Sequence, residues 1–96
     1  MSQIRFEWDA RKAKSNAQKH GVSFEEAQSV FFDEQALLFE DPQPLHEEER
    51  FVLLGLSAPL RLLVVVHALR DGDVIRIISA RKATRLETRQ YEIRLR

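Results

Sequence analysis

The residues of this chain best suited to phosphate chemistry lie in its second half, around one apolar strand. Arg76 interrupts that strand and alternates with isoleucines, so its side chain is predicted to point away from the core. Arg81 and Lys82 follow the predicted end of the strand and precede a helix start at Thr84, where backbone N–H groups also attract phosphate. Arginine can fork onto a phosphate, whereas lysine supplies a point charge. Together they predict a phosphate-binding surface, although each cation alone could simply pair with an acid.

Two further side chains could transfer protons, and each has a structural alternative. His67 interrupts a valine-rich strand, and an imidazole titrates near neutral pH, so it could serve as base or acid. It shares a strand face with apolar residues, which instead favours a core histidine with a hydrogen-bond partner. Tyr91, the single tyrosine, could stack on a nucleobase or donate a proton to a leaving oxygen. Its alternative role is to anchor the last helix on the sheet.

Basic residues on the first and last predicted helices form a second candidate surface. Lys12 and Lys19 belong to a basic first helix, while Arg85 and Arg89 lie four residues apart, on one face of the last helix. Contacts with a nucleic-acid backbone would give such residues affinity without sequence preference. The alternative is a solvated helix face, or ion pairs with the acidic middle of the chain.

Composition limits the chemistry that these residues can serve. The 96 residues leave room for a single domain, residues 1–96, with an ordinary globular share of hydrophobic residues. The chain has no cysteine, which excludes a disulfide framework, a thiolate nucleophile and a cysteine zinc site. His20, His46 and His67 are far apart in the sequence, so no metal site and no cofactor are predicted.

Neither a membrane span nor a signal peptide is predicted. The longest apolar run covers residues 62–66, far too few to cross a bilayer, and the first twenty residues are rich in charge. A cytoplasmic protein without membrane contact is therefore expected.

The net charge of zero conceals a strong segregation of charge. Residues 1–20 hold five basic and two acidic groups, residues 21–50 hold one basic and nine acidic groups, and residues 51–96 hold nine basic and four acidic groups. A chain with basic ends and an acidic middle can fold into a surface of two signs. One pole would suit phosphate and the other a basic partner, although charge runs are commonly only solvated faces.

The elements that must position these groups can be read from periodicity and capping signals. Alternating or apolar runs predict strands at residues 4–8, 36–39, 51–56, 62–69 and 74–79. Helices are predicted after an N-cap at Asp9 as far as Gly21, over residues 24–32 behind a Ser23–Glu26 capping box, and from Thr84 to about residue 95. Residues 41–49 are predicted to form a polar loop, and Asp71-Gly72 a hairpin turn.

The resulting order, β-α-α-β-β-β-β-α, predicts the α+β class. Consecutive strands with short connections imply a mainly antiparallel sheet with helices packed on it, gathered on one face or edge.

Several strings in this order resemble the BrnT toxin family. They are FEWD at 6–9, KHGVSFEEA at 19–27, ERFVLLGLS at 49–57, LLVVVH at 62–67 and IRIISARKAT at 75–84, followed by Tyr91-Glu92. The resemblance extends over nearly the whole chain. It implies a compact RelE-like fold and a ribonuclease that arrests growth by cutting RNA. It also implies a BrnA-like antitoxin with a ribbon-helix-helix DNA-binding part, through which the complex would bind operator DNA.

Cleavage of RNA without metal makes specific demands on these residues. The 2′-hydroxyl attacks the phosphodiester, so a base must take its proton, cations must stabilise the phosphate oxygens, and a proton must reach the leaving 5′-oxygen. The catalytic candidates are therefore His67, Arg76, Arg81, Lys82 and Tyr91, and the RNA-binding candidates Lys12, Lys19, Arg85 and Arg89. The alternative is a non-catalytic RNA-binding or protein-interaction module.

Overall fold

Three α-helices, a short 3-10 helix and five strands make up the parts of the chain that the computed structural model describes, residues 4–41 and 48–95. In chain order they are β1 (Arg5–Glu7), α1 (Ala10–His20), α2 (Phe24–Ser29), the 3-10 helix (Val30–Phe32), β2 (Leu37–Glu40), β3 (Arg50–Leu56), β4 (Leu62–Arg70), β5 (Val74–Lys82) and α3 (Arg85–Arg94). The predicted α+β class and element order are confirmed. Most of the polar loop predicted at 41–49, including His46, lies outside the described residues.

The five strands form one sheet in the order β1-β5-β4-β3-β2. Strands β2 to β5 pair antiparallel with their neighbours, and β1 joins the edge of β5 in parallel. The hairpin between β4 and β5 turns through Asp71 and Gly72, whose φ angles are 52° and 81°. Aspartate and glycine tolerate this left-handed region, which explains why the Asp-Gly signal located the turn.

Helices α1 and α2 begin at the capping residues that the sequence indicated, but α2 ends earlier than predicted. The Asp9 carboxylate accepts hydrogen bonds from the backbone N–H groups of the first turn of α1, and Gly21 ends that helix with φ 67°. Ser23 caps α2 through the Glu26 N–H, at 3.0 Å. The reciprocal half of that capping box was predicted wrongly, because the Glu26 carboxylate accepts from Arg61 instead. The α-helical part of the 24–32 segment ends at residue 29 and continues as the 3-10 helix.

Helices α1 and α2 cover one face of the sheet, called here the α1–α2 face. Phe24, Ala27 and Val30 are fully buried against apolar side chains of the strands. Asn16 on α1 is also buried, and its amide both donates to the Ala80 carbonyl at 2.8 Å and accepts from the Ala80 N–H at 3.1 Å. Burial of each large apolar side chain contributes about 1.5–3 kcal/mol, and the amide bonds fix the position of α1 on β5.

The third helix packs on the opposite side of the sheet, called here the α3 face. Tyr91 is buried there against Leu54 and Val64, whose side chains point away from α1 and α2. The expectation that the helices gather on one face or edge was therefore wrong for α3. The tyrosine hydroxyl donates to the Asp33 carboxylate at 2.6 Å, and Asp33 also accepts from the Leu56 N–H at 2.8 Å. Asp33 thereby links α3 to the end of β3.

A β-bulge in β5 decides which side chains reach the α3 face. Ile77 and Ser79 pair with consecutive residues of β4, so Ile78 is an extra residue in β5. In a regular strand, residues five apart point to opposite faces, whereas one extra residue reverses the alternation. Arg76 and Arg81 consequently share the α3 face.

Strand β5 also extends three residues further than the sequence indicated. Arg81 pairs with Val64 and Lys82 with Leu63 in the β4–β5 ladder. The prediction that Arg81 and Lys82 follow the strand was therefore wrong. As neighbours within a strand, they point to opposite faces of the sheet.

Candidate functional site

A groove with arginine at its rim lies on the α3 face. It encloses about 300 Å³, and its lining comprises apolar residues of the three central strands together with polar and charged residues at the edges: Asp41, Arg50, Val52, Val64, Val66, Ile78, Ser79 and Arg81. Such a surface offers an apolar floor to a base or ribose and a cation to a phosphate.

Arg81 is held in a defined orientation at the edge of this groove. Its two terminal nitrogens donate to the two carboxylate oxygens of Glu87, at 2.8 and 2.9 Å. Glu87 also accepts from the Thr84 N–H at 2.8 Å and completes the capping box of α3. The Arg81 guanidinium lowers the pKa of Glu87 to about 2 and thereby keeps the carboxylate charged. The Arg81 side chain is 41% exposed, so a ligand can still reach it.

Arg76 lies on the same face, further along β5. One of its terminal nitrogens is 3.4 Å from a carboxylate oxygen of Glu48, which belongs to the acidic middle of the chain. A separation of 3.4 Å is long for a charge-assisted hydrogen bond, so this pair is weaker than that of Arg81. Both arginines therefore have acidic partners, the alternative role considered above, and both side chains remain partly exposed.

His67 lies on the other side of the sheet, facing α2 and the 3-10 helix. It is 4% exposed and packs edge-on against Phe31, with ring centroids 4.8 Å apart. Its Nδ1 lies 3.4 Å from the Val65 carbonyl oxygen. Burial lowers the pKa of His67, which favours the neutral imidazole at neutral pH. This is the environment of the core histidine considered above, separated by the sheet from Arg76 and Arg81.

Lys82 and Tyr91 are also separated from the two arginines. Lys82 shares the α1–α2 face with Leu63, and its charge helps to lower the pKa of Glu26 on α2. Tyr91 is 4% exposed beneath α3, where burial and then the Asp33 hydrogen bond raise its pKa to about 12. Of the five catalytic candidates, the structure thus brings together only Arg76 and Arg81.

The four candidate RNA-binding residues divide between the two sides of the sheet. Lys12 and Lys19 are exposed on α1, on the α1–α2 side. Arg85 and Arg89 are exposed on α3 and line one surface of that helix, which shares no lining residue with the groove beside Arg81. Within residues 4–41 and 48–95, none of the four forms an ion pair. Only the α3 pair lies on the same side of the sheet as Arg76 and Arg81.

Sequence reasoning did not single out three polar residues of the groove, Asp41, Arg50 and Ser79. Arg50 is the first residue of β3 and, two residues before Val52, points to the same α3 face. The alternation of the sequence would have shown this if the predicted strand had begun one residue earlier. Ser79 reaches the groove only because of the bulge, which leaves no mark in the sequence pattern.

No group of three histidine, aspartate or glutamate side chains within the described ranges is arranged to hold a metal ion. Among the helices of these same ranges, none has the length and apolar character needed to cross a membrane.

The fold and the groove define a class of small α+β protein with arginines on a partly covered sheet, suited to contact phosphodiesters. The family model described as "Ribonuclease toxin, BrnT, of type II toxin-antitoxin system" matches residues 8–87. The chain therefore belongs to the BrnT family, and it is a ribonuclease toxin whose RNA cleavage is neutralised by an antitoxin. The resemblance noted in the sequence is thereby confirmed.

The fold itself is that of a solved family member. The 1.1 Å crystal structure of the Brucella abortus ribonuclease toxin BrnT is similar to this chain with a TM-score of 0.66, covering 86% of this chain and 100% of that one. The two sequences are 22% identical, so this likeness concerns the fold alone. No curated protein matches the sequence.

Proposed function

We propose that this toxin cleaves RNA without metal, on the α3 face, with Arg76 and Arg81 at the scissile phosphate. The single observation that carries the proposal is that the bulge at Ile78 places both arginines on one face of the sheet. When the 2′-hydroxyl attacks the phosphorus, negative charge builds on the non-bridging oxygens, and guanidinium groups stabilise it. The nucleophile belongs to the RNA, so no water has to be activated as a nucleophile. The protein supplies charge and orientation, the 2′-hydroxyl proton passes to solvent water, and the leaving 5′-oxygen takes a proton from solvent.

The groove beside Arg81 supplies that orientation. Its floor of valine and isoleucine side chains suits the flat face of a base. Arg85 and Arg89 are exposed on α3 and are available to RNA that passes over that helix. Contacts of α3 with neighbouring phosphates would add affinity without sequence preference. Lys12 and Lys19 face the other side, and in this proposal they would meet only RNA that extends around the protein.

His67, Lys82 and Tyr91 support the fold in this proposal rather than the chemistry. His67 and Tyr91 are buried on opposite sides of the sheet, and Lys82 lies near Glu26. A group that transfers a proton must come within hydrogen-bond reach of the reacting oxygen, directly or through one water. His67 and Lys82 lie on the α1–α2 face, and Tyr91, although on the α3 face, is buried with its hydroxyl bonded to Asp33.

The partners follow from membership of the family. The antitoxin is proposed to be BrnA-like, with a ribbon-helix-helix part that carries the complex to operator DNA. The toxin itself is proposed to act in the cytoplasm, where its RNA substrates and its antitoxin are made.

The test is RNA cleavage by the purified toxin, free of antitoxin, in excess EDTA. Arg76→Gln and Arg81→Gln are each expected to reduce the rate by about 10²–10³, the effect of removing one donor to a developing oxyanion. Arg81→Lys, which keeps the charge but loses the fork, should fall between wild type and Arg81→Gln. The matched control is Arg94→Gln at the exposed end of α3, expected to cleave like wild type.

Three results would contradict the proposal. One is wild-type cleavage by folded Arg76→Gln and Arg81→Gln variants. The second is loss of cleavage on chelation alone. The third is loss of cleavage in a folded His67→Gln variant, which would return the chemistry to the α1–α2 face. Binding of RNA without any cleavage would instead support a non-catalytic module.

A further inference from the structure

An apolar hollow opens on the α1–α2 face, at the end of the sheet that the two helices leave uncovered. It encloses about 310 Å³ and is lined mainly by apolar side chains of the 3-10 helix and strands β2 to β5, with two polar residues among them: Phe31, Asp33, Ala36, Leu38, Phe51, Leu53, His67, Leu69 and Ile75. Leu38 and Leu69 are 61% and 55% exposed. A concave apolar surface with exposed leucines at its edge is typical of a site that another molecule covers.

Acidic side chains border this apolar hollow. Asp33 belongs to its lining, and Glu34 is the exposed residue that follows. Asp71 lies in the exposed turn two residues beyond Leu69. The lining contains neither lysine nor arginine.

This charge decides what kind of molecule the apolar hollow can receive. Phosphates would be repelled by the acids, and the cationic groove lies on the other side of the sheet. A protein segment that places a large apolar side chain in the hollow, with lysine or arginine on either side, would satisfy both features. Anchors of this kind, seated in an apolar pocket and surrounded by complementary charge, dominate the energy of many protein interfaces.

We propose that the apolar hollow is the docking site for a basic segment of the antitoxin, anchored by one large apolar side chain. The inference rests on the antitoxin partner that membership of the family brings, and it does not depend on where RNA is cleaved. The antitoxin would thus hold the toxin from the face opposite to Arg76 and Arg81. Neutralisation would then require either that other parts of the antitoxin reach around the sheet or that docking changes the arginine face.

The experiment measures binding of the purified toxin to the antitoxin of the same operon by calorimetry. Leu38→Lys and Leu69→Lys place a cation where a basic segment would dock, and each is expected to weaken binding at least about tenfold. Leu86→Lys makes the same change at a leucine that is 68% exposed on α3, and it should bind like wild type. Glu34→Lys is expected to weaken binding less, and more strongly at low salt than at high salt.

A second readout locates the contact without mutating the apolar hollow. The ring of His67 lines it, whereas His20 is exposed at the end of α1. The imidazole NMR signal of His67 is expected to shift when antitoxin is added, and that of His20 to stay in place. An unmoved His67 signal in the saturated complex would overturn the proposal.

The outcomes separate this proposal from that for the cleavage site. Leucine variants that bind antitoxin within twofold of wild type overturn the docking proposal, whatever the arginine variants do. Light scattering of the toxin alone measures its oligomeric state. If the wild type is a dimer and Leu38→Lys is a monomer, the hollow is a contact between two copies of the chain and the docking proposal is overturned. Conversely, leucine variants with weakened antitoxin binding but wild-type RNA cleavage support docking and leave the arginine proposal to its own test.

Discussion

Replacement of Glu87 by glutamine removes the charge that orients Arg81 while disturbing little else. Glu87 accepts from both terminal nitrogens of Arg81 and from the Thr84 N–H. Glutamine also serves at this position of a capping box, so the variant can keep the bond to Thr84. Glu87→Gln therefore tests an ion pair rather than a helix cap.

The size of the effect follows from the pKa of the carboxyl group. Arg81 lowers the pKa of Glu87 from 4.5 to about 2, which at 1.36 kcal/mol per unit corresponds to an upper limit of about 3 kcal/mol. The Arg81 side chain is 41% exposed, so solvent and salt screen much of this interaction. We expect Glu87→Gln to lower the free energy of unfolding by about 1 kcal/mol near neutral pH, equivalent to a fall in Tm of about 4–8 °C.

The pH dependence gives the prediction its sharpest form. Because folding lowers the pKa of Glu87, its contribution is complete above the unfolded pKa and is lost as the pH falls through the folded value. The difference between wild type and Glu87→Gln should therefore shrink from about pH 4.5 to about pH 2. Urea unfolding at a series of pH values measures it. Glu26 and Asp33, whose pKa values are also lowered, titrate in both proteins and cancel in the difference. A difference that stays constant with pH, or is absent at neutral pH, would refute the reasoning.

Two further substitutions test the contacts made at the end of β3. Tyr91→Phe removes the hydroxyl that donates to Asp33 at 2.6 Å, and it should lower the free energy of unfolding by about 1–2 kcal/mol in urea titrations. RNA cleavage by this variant should remain that of wild type, and its collapse would restore the tyrosine as a proton donor. Gly55→Ala would place a Cβ 2.8 Å from the Ala36 Cβ and 3.0 Å from Val30 Cγ1. The resulting overpacking should lower stability by about 1–3 kcal/mol in thermal unfolding, and an unchanged Tm would show that this contact can relax.

Local signals were sufficient to predict the elements of the fold. Helix α1 begins at Asp9 and ends at Gly21, and α3 begins at the Thr84–Glu87 capping box, as the sequence indicated. These caps satisfy backbone groups of their own helix. Glu26 departed from its predicted role because Arg61, 35 residues away, offered a charged partner. A signal confined to a few residues predicts a cap well only where no distant side chain competes for it.

The candidate site was harder to predict because it depends on which face each side chain reaches. Simple alternation correctly directed Arg76 away from the isoleucines of the core, but one bulged residue, Ile78, reverses the alternation before Arg81. Tyr91 was correctly considered an anchor, yet its partner Asp33 lies 58 residues earlier. Both features arise from pairing between distant parts of the chain, which periodicity within one segment does not report.

The acidic partners of the two arginines imply that RNA has to displace carboxylates in order to bind. Glu48 is the weaker of these partners, at 3.4 Å from Arg76, and it caps no helix in the described structure. Glu48→Gln is therefore expected to leave stability unchanged. It should tighten the binding of single-stranded RNA by about two- to fivefold, because the ion pair that it removes is partly exposed. A 2′-O-methyl RNA serves as the ligand, since it cannot be cleaved. Fluorescence anisotropy measures the affinity, with Glu25→Gln, an exposed acid on α2, as the control for net charge.

The dependence of this affinity on salt distinguishes the causes. If Arg76 contacts one more phosphate in Glu48→Gln than in wild type, the slope of log K against log salt should become steeper by about 0.7. This is the value for one phosphate contact on a single strand. An equal gain in Glu25→Gln would mean that net charge alone is responsible. No gain in Glu48→Gln would mean that Arg76 does not meet RNA, and the proposed site would then have to be built around Arg81 alone.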